Sequence, residues 1–244
     1  MSRVIVTIHG TGRTPSDFWL PQVRAITAIL GAVPLHQPVW WGDLIDVGAA
    51  IPRATQRVSQ AVAGLGGCVS GRAGLFGLRL ASAAADRLHR LANGGAGVAA
   101  YLAPTRTREA IRGRLRETLA ELTRRGDEIV LISESLGCLV AFDILRREAN
   151  RFNVAAWITL GCPLRTLVRS GQRRAELGAI SLRTVRQWLN LYAPRDLVAA
   201  PIASVFPDYP IRDVRVEGAL SRAQAHRYWS NPRTAALIAR VMAS

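Results

Sequence analysis

Ile129-Val130-Leu131-Ile132-Ser133-Glu134-Ser135-Leu136-Gly137 is the stretch on which the reading of this chain turns. Four consecutive apolar residues, three of them β-branched, form the kind of run that is buried on both faces in a parallel sheet. A small-x-Ser-x-Gly pattern follows at once, and residues 135–147 then read as a helix that is apolar almost all round. A sharp strand-to-helix turn holds its central residue in a strained backbone conformation and lifts that side chain clear of the sheet edge. Small residues two before and two after relieve crowding of the turn against its neighbours. The helix N-terminus beneath Ser135 presents a positive dipole end, and the Leu136 N–H is placed to help hold an oxyanion. A serine that merely caps a helix N-terminus would look the same locally.

Outward from this turn the chain alternates strand and helix signals. Residues 3–8 are a β-branched run ending at His9-Gly10-Thr11-Gly12. Helical spacing follows over 18–30, and a second strand with an aromatic end over 33–41. In 106–124, Ile111, Leu115, Leu119 and Leu122 fall on one face of an amphipathic helix, with Arg and Glu on the other. Further strands are predicted at 128–132, 154–160, 188–192 and 212–216, and a last helix at 232–242. This alternation predicts one α/β domain over 1–244, built on a mostly parallel sheet with helices on both faces.

Residues 44–104 break the rhythm. They are rich in Ala, Gly and Leu, and hold six Arg against two Asp and no Glu. Leu80, Ala84, Leu88 and Leu91 share a helical face there, and glycine-rich joints at 64–77 and 94–97 would let the helices pivot. Two readings stay open for this insertion: a structural helical element, or a lid that shapes an apolar pocket and makes transient contact with membrane surfaces.

Composition excludes several classes. At 244 residues and 49% hydrophobic content, the chain is long and apolar enough for a substantial core. The three cysteines, Cys68, Cys138 and Cys162, are odd in number, and no Cys or His pair has ligand spacing. Neither a disulfide framework nor a metal site is expected, and the reading is a reducing, cytoplasmic compartment. No basic-then-apolar leader precedes the first strand. The net charge of +15 comes entirely from Arg, with no Lys, which fits codon usage in a GC-rich genome. These Arg residues are scattered without a basic, aromatic-interleaved block, so nucleic acid is not an expected partner.

The segment around Ser135 resembles the nucleophile elbow of the α/β-hydrolase superfamily, with Ser133 in place of the usual first Gly. His9-Gly10-Thr11-Gly12 resembles the oxyanion loop that follows an early strand in its lipases and esterases. The resemblance covers most of the chain outside 44–104 and 165–182. It differs from longer members in lacking their usual first strands, so it implies a compact sheet of about six strands. It also implies a nucleophile at Ser135 and oxyanion donors at Gly10, Thr11 and Leu136, with His9 positioning the loop. The base would be His226, which precedes the final helix in Ala225-His226-Arg227-Tyr228-Trp229. His36 and His89 fall on a strand and on the insertion. The acid must lie between nucleophile and base. Asp196, just after the strand at 188–192, fits best, with Asp208 and Asp213 as rivals.

Function follows as an expectation: a serine hydrolase cleaving carboxylic esters by way of an acyl-enzyme, with no metal or organic cofactor. Gly161-Cys162-Pro163-Leu164 resembles a stretch of lipase-like hydrolases. Trp19, Trp41 and Leu164 are the candidates for contact with an apolar acyl chain on a small-molecule or lipid ester. Thioesterase or acyltransferase activity would use the same residues, and a non-catalytic binding module would use the same fold.

Overall fold

A computed structural model describes residues 2–10, 14–44, 106–165, 185–196, 198–207, 209–217 and 225–244. The chain divides into two units, one of Met1–Gly42 with Glu109–Ser244 and one of Asp43–Arg108. The second unit, which contains the 44–104 insertion, lies almost wholly outside the described residues.

The first unit is a six-stranded sheet, all parallel. Its strands are β1 (Arg3–Ile8), β2 (Leu35–Val39), β3 (Glu128–Glu134), β4 (Val154–Leu160), β5 (Gln187–Tyr192) and β6 (Ile211–Arg215). They lie in the order β2-β1-β3-β4-β5-β6. The run read from sequence as buried on both faces is so: β3 is buried from Ile129 to Ser133, and all of β4 is buried.

Alternate strand residues point to opposite faces, and each face has its own helices. Ile5, Val130, Ile132, Ile158, Leu189 and Leu191 pack with Ile26 of α1 (Leu20–Leu30) and with Ala235, Ile238 and Ala239 of α4 (Pro232–Ala243). α2 (Arg106–Arg124) and α3 (Leu136–Glu148) are joined by two ion pairs, the first of them buried. Arg112 meets the fully buried Asp143, and Arg116 reaches Glu148 at 3.0 Å. The four apolar residues expected on the inner face of α2 are all buried there. Stacked rings carry the packing onward, from Phe142 of α3 to Phe206, Trp188 and Trp157.

Local chemistry explains the helix ends. Gly31 takes φ 72° to close α1, and its N–H reaches Thr27 O at 2.9 Å. Asn231 caps α4 by accepting from the Arg233 and Thr234 N–H groups, with Pro232 in the first turn. The helix predicted over 18–30 begins at Leu20, because the chain turns through 16–19 first. The strand predicted over 33–41 is shorter, at Leu35–Val39. Among the described residues, no helix is long and apolar enough to cross a membrane.

In a parallel sheet, chain continuations gather at the C-terminal strand edge. Here β1 is followed by β2 on one side while β3 lies on the other, so the connections diverge between β1 and β3. Such a divergence opens a crevice outside the strand ends, where ligands bind in open α/β sheets. The loops carrying Gly10 and Ser135 leave from these two strands.

Candidate active site

Ser135 is the non-glycine residue with positive φ among the described residues, at φ 50° and ψ −118°. This conformation costs energy for an L-residue and persists only where its surroundings impose it. Two backbone bonds do so: Ser135 N–H donates to Leu160 O at the end of β4 (2.9 Å), and Ser135 O accepts from Cys138 N–H (3.0 Å). Although Ser135 stands at the helix start, its side chain makes no cap bond. The hydroxyl is held out by the turn rather than consumed by the helix.

Close approach explains the small residues around it. A Cβ on Gly137 would sit 2.6 Å from His9 O and 2.9 Å from Ile8 O, so only glycine lets α3 start hard against the end of β1. Gly10 lies over the nucleophile itself, where a Cβ would come within 2.7 Å of Ser135 Cβ. Ser133, the departure from the usual glycine, is fully buried and fills a defined role. Its Oγ accepts from Trp157 Nε1 (2.9 Å) and lies 3.4 Å from Cys138 Sγ. Burial pushes the Cys138 thiol up, and its hydrogen bond with Cys162 adds to the rise.

The acid and base form a bonded pair. Asp196 Oδ2 lies 2.7 Å from His226 Nδ1 and accepts from Tyr228 Oη at 2.8 Å. Val198 N–H donates to Oδ1 at 3.0 Å. Burial alone would raise the Asp196 carboxyl, but the bond and charge of His226, with the Val198 and Tyr228 bonds, hold it below the usual carboxylate range. Burial likewise works to lower the His226 imidazole. The Asp196 bond and charge outweigh it, with the Glu134 charge assisting, and carry it above its ordinary value. With Nδ1 committed to Asp196, Nε2 is the nitrogen left for proton transfer.

Gly161 is what seats this pair against the end of β4. It follows β4 with φ 60°, and a Cβ there would lie 2.8 Å from His226 Cε1 and 2.7 Å from Tyr228 Cε2. Leu160 O, one residue earlier, accepts the Ser135 N–H. The imidazole and the nucleophile are thus both seated on the C-terminal end of β4. Among the described residues, no hydrogen bond joins Ser135 Oγ to His226. Catalytic hydrogen bonds often stay long until substrate binds.

Of the rivals for the acid, Asp213 is spent inside the fold, accepting from Asn190 Nδ2, Ile202 N–H and Ala203 N–H. Asp208 lies outside the described residues, as do Thr11 and His89. His9 is fully buried. Its Nε2 accepts from Trp41 N–H (3.1 Å), so its Nδ1 is the donor to Gly10 O (2.8 Å), and the neutral ring holds the loop after β1. His36 bonds Thr7 Oγ1 on β1 (2.9 Å), and burial lowers it to about 4.

The proposed acyl contacts are dispersed. Trp41 is 1% exposed and stacks on His9 at 4.6 Å, Leu164 is 1% exposed, and Trp19 lies against His36 at 4.4 Å. None of the three lines the cleft of about 710 Å³ beside the nucleophile strand. Its walls include Pro15, Phe18, Leu20, Pro21, Glu134 and Trp229.

Several functional contacts escape sequence reasoning. Tyr228 clamps the acid, accepting from Ala193 N–H (2.9 Å) while donating to Asp196. Gln22, with its amide turned to satisfy its neighbours, donates to Trp229 O (2.7 Å) and accepts from Ala235 N–H (2.8 Å). Glu134 accepts from Trp229 Nε1 at 2.5 Å. The Tyr-Trp pair after His226 was the one visible signal for the first of these. Glu134 looked like an arbitrary residue within a motif. Among the described residues no group of three His, Cys, Asp or Glu side chains is arranged to hold a metal ion.

No protein-family model matches the sequence, and no curated protein matches it. Solved structures that resemble the chain include three of low sequence identity. A protein from Xanthomonas campestris pv. campestris, described as a hydrolase of the alpha/beta superfamily, is 16% identical with a TM-score of 0.52, over 99% of each chain. YahD, solved with malic acid, is 10% identical with a TM-score of 0.41, over 98% of this chain and 93% of that one. The pyrethroid hydrolase PytH is 12% identical with a TM-score of 0.44, over 100% and 98%. The first likeness, together with the six-stranded parallel sheet, establishes that this chain has the α/β-hydrolase fold.

Proposed function

We propose that this protein is a serine hydrolase that cleaves carboxylic esters with an apolar acyl chain. The observation that carries the reading is the strained Ser135, held at φ 50° with its hydroxyl uncommitted, on the same strand end as the Asp196–His226 pair.

The chemistry then runs through named atoms. His226 Nε2 takes the Ser135 proton as Oγ attacks the carbonyl carbon, and the carbonyl electrons move to oxygen. N–H groups of the first α3 turn, Leu136 foremost, are among those a helix leaves without an internal partner, and they face the developing charge. The tetrahedral adduct collapses, the C–O bond breaks, and the alcohol leaves with the proton from His226. Water, deprotonated by His226, then attacks the acyl-enzyme and regenerates Ser135. Asp196 keeps its charge throughout and stabilises the imidazolium. The apolar walls of the cleft, Pro15, Phe18, Leu20, Pro21 and Trp229, support an apolar acyl group.

The test is turnover of p-nitrophenyl esters from acetyl to palmitoyl by wild type and Ser135→Ala. Turnover at medium or long chain length that falls by about 10³-fold or more in the variant is expected. Equal rates in the two proteins, or no turnover of any ester, sinks the reading.

A further inference from the structure

We propose that Glu134 is a positioning residue that ties the loop after β1 and the loop bearing His226 to the nucleophile's own strand, and that its charge is set against the imidazole. The inference rests on Ser135 acting as nucleophile and His226 as base, and it adds a residue that neither role requires.

Glu134 directly precedes Ser135, so its backbone belongs to β3 and its carboxyl emerges beside the turn. Two loops from opposite ends of the sequence meet on that carboxyl. Trp229 Nε1 donates to Oε2 at 2.5 Å, and the Gly10 backbone bonds to it as well. Trp229 is three residues after the base, and Gly10 covers the Ser135 Cβ. The same two loops are also linked by rings, with Trp41 stacked on His9, His9 edge-on to Phe18, and Phe18 edge-on to Trp229. The carboxylate is the polar fastening beside this apolar one. It is only partly exposed, in the wall of the cleft that Arg24, Arg227 and Asp17 also line.

The charged groups around Glu134 come from every neighbouring element. His226 and Tyr228 face it from the segment before α4, Asp196 from the loop after β5, and Arg24 and Asp17 from α1 and the turn before it. Burial pushes the Glu134 carboxyl up to about 7. The His226 charge, the Trp229 bond and the Gly10 backbone pull the other way, and the Asp196 charge adds to the rise. An ionised Glu134 in turn helps to raise His226. The base therefore works beside a second carboxylate whose charge favours the imidazolium.

Two variants separate charge from fastening. Glu134→Gln keeps an oxygen for Trp229 and Gly10 but removes the charge, whereas Glu134→Ala removes both. The first readout is the titration of the His226 imidazole by NMR, assigned with His226→Asn, and it needs no turnover. In Glu134→Gln the imidazole is expected to titrate at lower pH than in wild type, and the acid limb of kcat/KM is expected to move the same way. At pH 8 Glu134→Ala should lose about 10-fold or more in kcat, with Gln recovering part of it, as expected for a lost bond to a charged group. An unmoved His226 titration in Glu134→Gln would overturn the proposal, as would an Ala variant as fast as wild type. Absence of ester turnover in wild type would instead count against the hydrolase reading, with the NMR titration still deciding the role of Glu134.

Discussion

Single atoms decide the site. The hydrogen on Gly161 Cα is the reason His226 can lie where it does, since any Cβ would enter the imidazole and the Tyr228 ring and would also be strained at φ 60°. Gly161→Ala is therefore expected to stay folded but to lose about 10²-fold in kcat, because misplacing a catalytic group by about 1 Å costs that much. Circular dichroism and active-site titration together check it; a variant as active as wild type would show that the ring does not need that seat. At this scale the sequence was legible where chemistry has a fixed spacing. The turn at Ser135, with small Ser133 and Gly137 around it, could be read directly, whereas His226 ahead of the last helix came only through the family resemblance. The Asp196–His226 bond could be anticipated only from chain order. Glu134, Tyr228 and Gly161 were not legible, because each acts through side-chain contacts 32 to 95 residues away that no local pattern encodes. The substrate contacts were the least legible of all. An aromatic residue in sequence serves packing as readily as binding, and Trp41 is stacked on His9.

Among the elements, α3 carries the greatest demand. It must start abruptly at a strained residue, and it is buried for its first ten residues, including the carboxylate of Asp143. That carboxylate is matched by Arg112 from α2 and Arg146 from its own helix. Breaking such a pair by removing one partner typically costs about 3–5 kcal/mol, and Glu109, which also pairs with Arg112 at 2.8 Å, offsets part of that loss. Asp143→Ala should lower the denaturant midpoint accordingly, and a loss below about 1 kcal/mol would mean that water reaches Arg112. The apolar face of α2 could be read from its periodicity, and the strands β1 and β4 from near-continuous apolar runs, since burial on one face or on two writes a different pattern into the sequence. The ion pair could not. Arg112 sits next to the apolar stripe on a helix where Arg is everywhere, and only tertiary packing distinguishes it from its solvated neighbours. The late start of α1 has a similar origin, because Phe18 is drawn into contact with His9 and Trp229 instead of the helix.

For the molecule as a whole, the buried titrating groups set how stability follows pH. His36 is lowered to about 4 in the fold, so below its ordinary value the unfolded chain takes up more protons, and stability rises with pH up to about 6.5. Glu134 is raised to about 7, so the folded state holds its proton longer, and stability falls as pH rises from about 4.5 to 7. His226, also raised, contributes stability that is complete below about 6.5 and lost as pH climbs through its folded value. Asp196 is lowered and contributes above the carboxylate range, with loss only in acid. The first two oppose each other up to about pH 6.5, and above it Glu134 and His226 act in the same direction. Urea midpoints should therefore fall between about pH 6.5 and 8, and a flat or rising midpoint across that window would contradict the assignments. The fold class itself was plain in the alternation of strand and helix signals, whereas the strand order and the crevice between β1 and β3 emerge only from pairing. That pairing has a kinetic consequence. Arg3 on β1 finds Glu128 on β3, 125 positions further along the chain, and the described strands form no hairpin through which the sheet could zip from neighbour to neighbour. Each step of assembly must close a long loop before any contact rewards it. The strain at Ser135 is imposed by one bond to the end of β4 and one within α3, so, with Ser135 as the proposed nucleophile, a refolding or nascent chain gains a reactive serine only after β4 has joined β3: reactivity arrives late, as the signature of an assembled sheet.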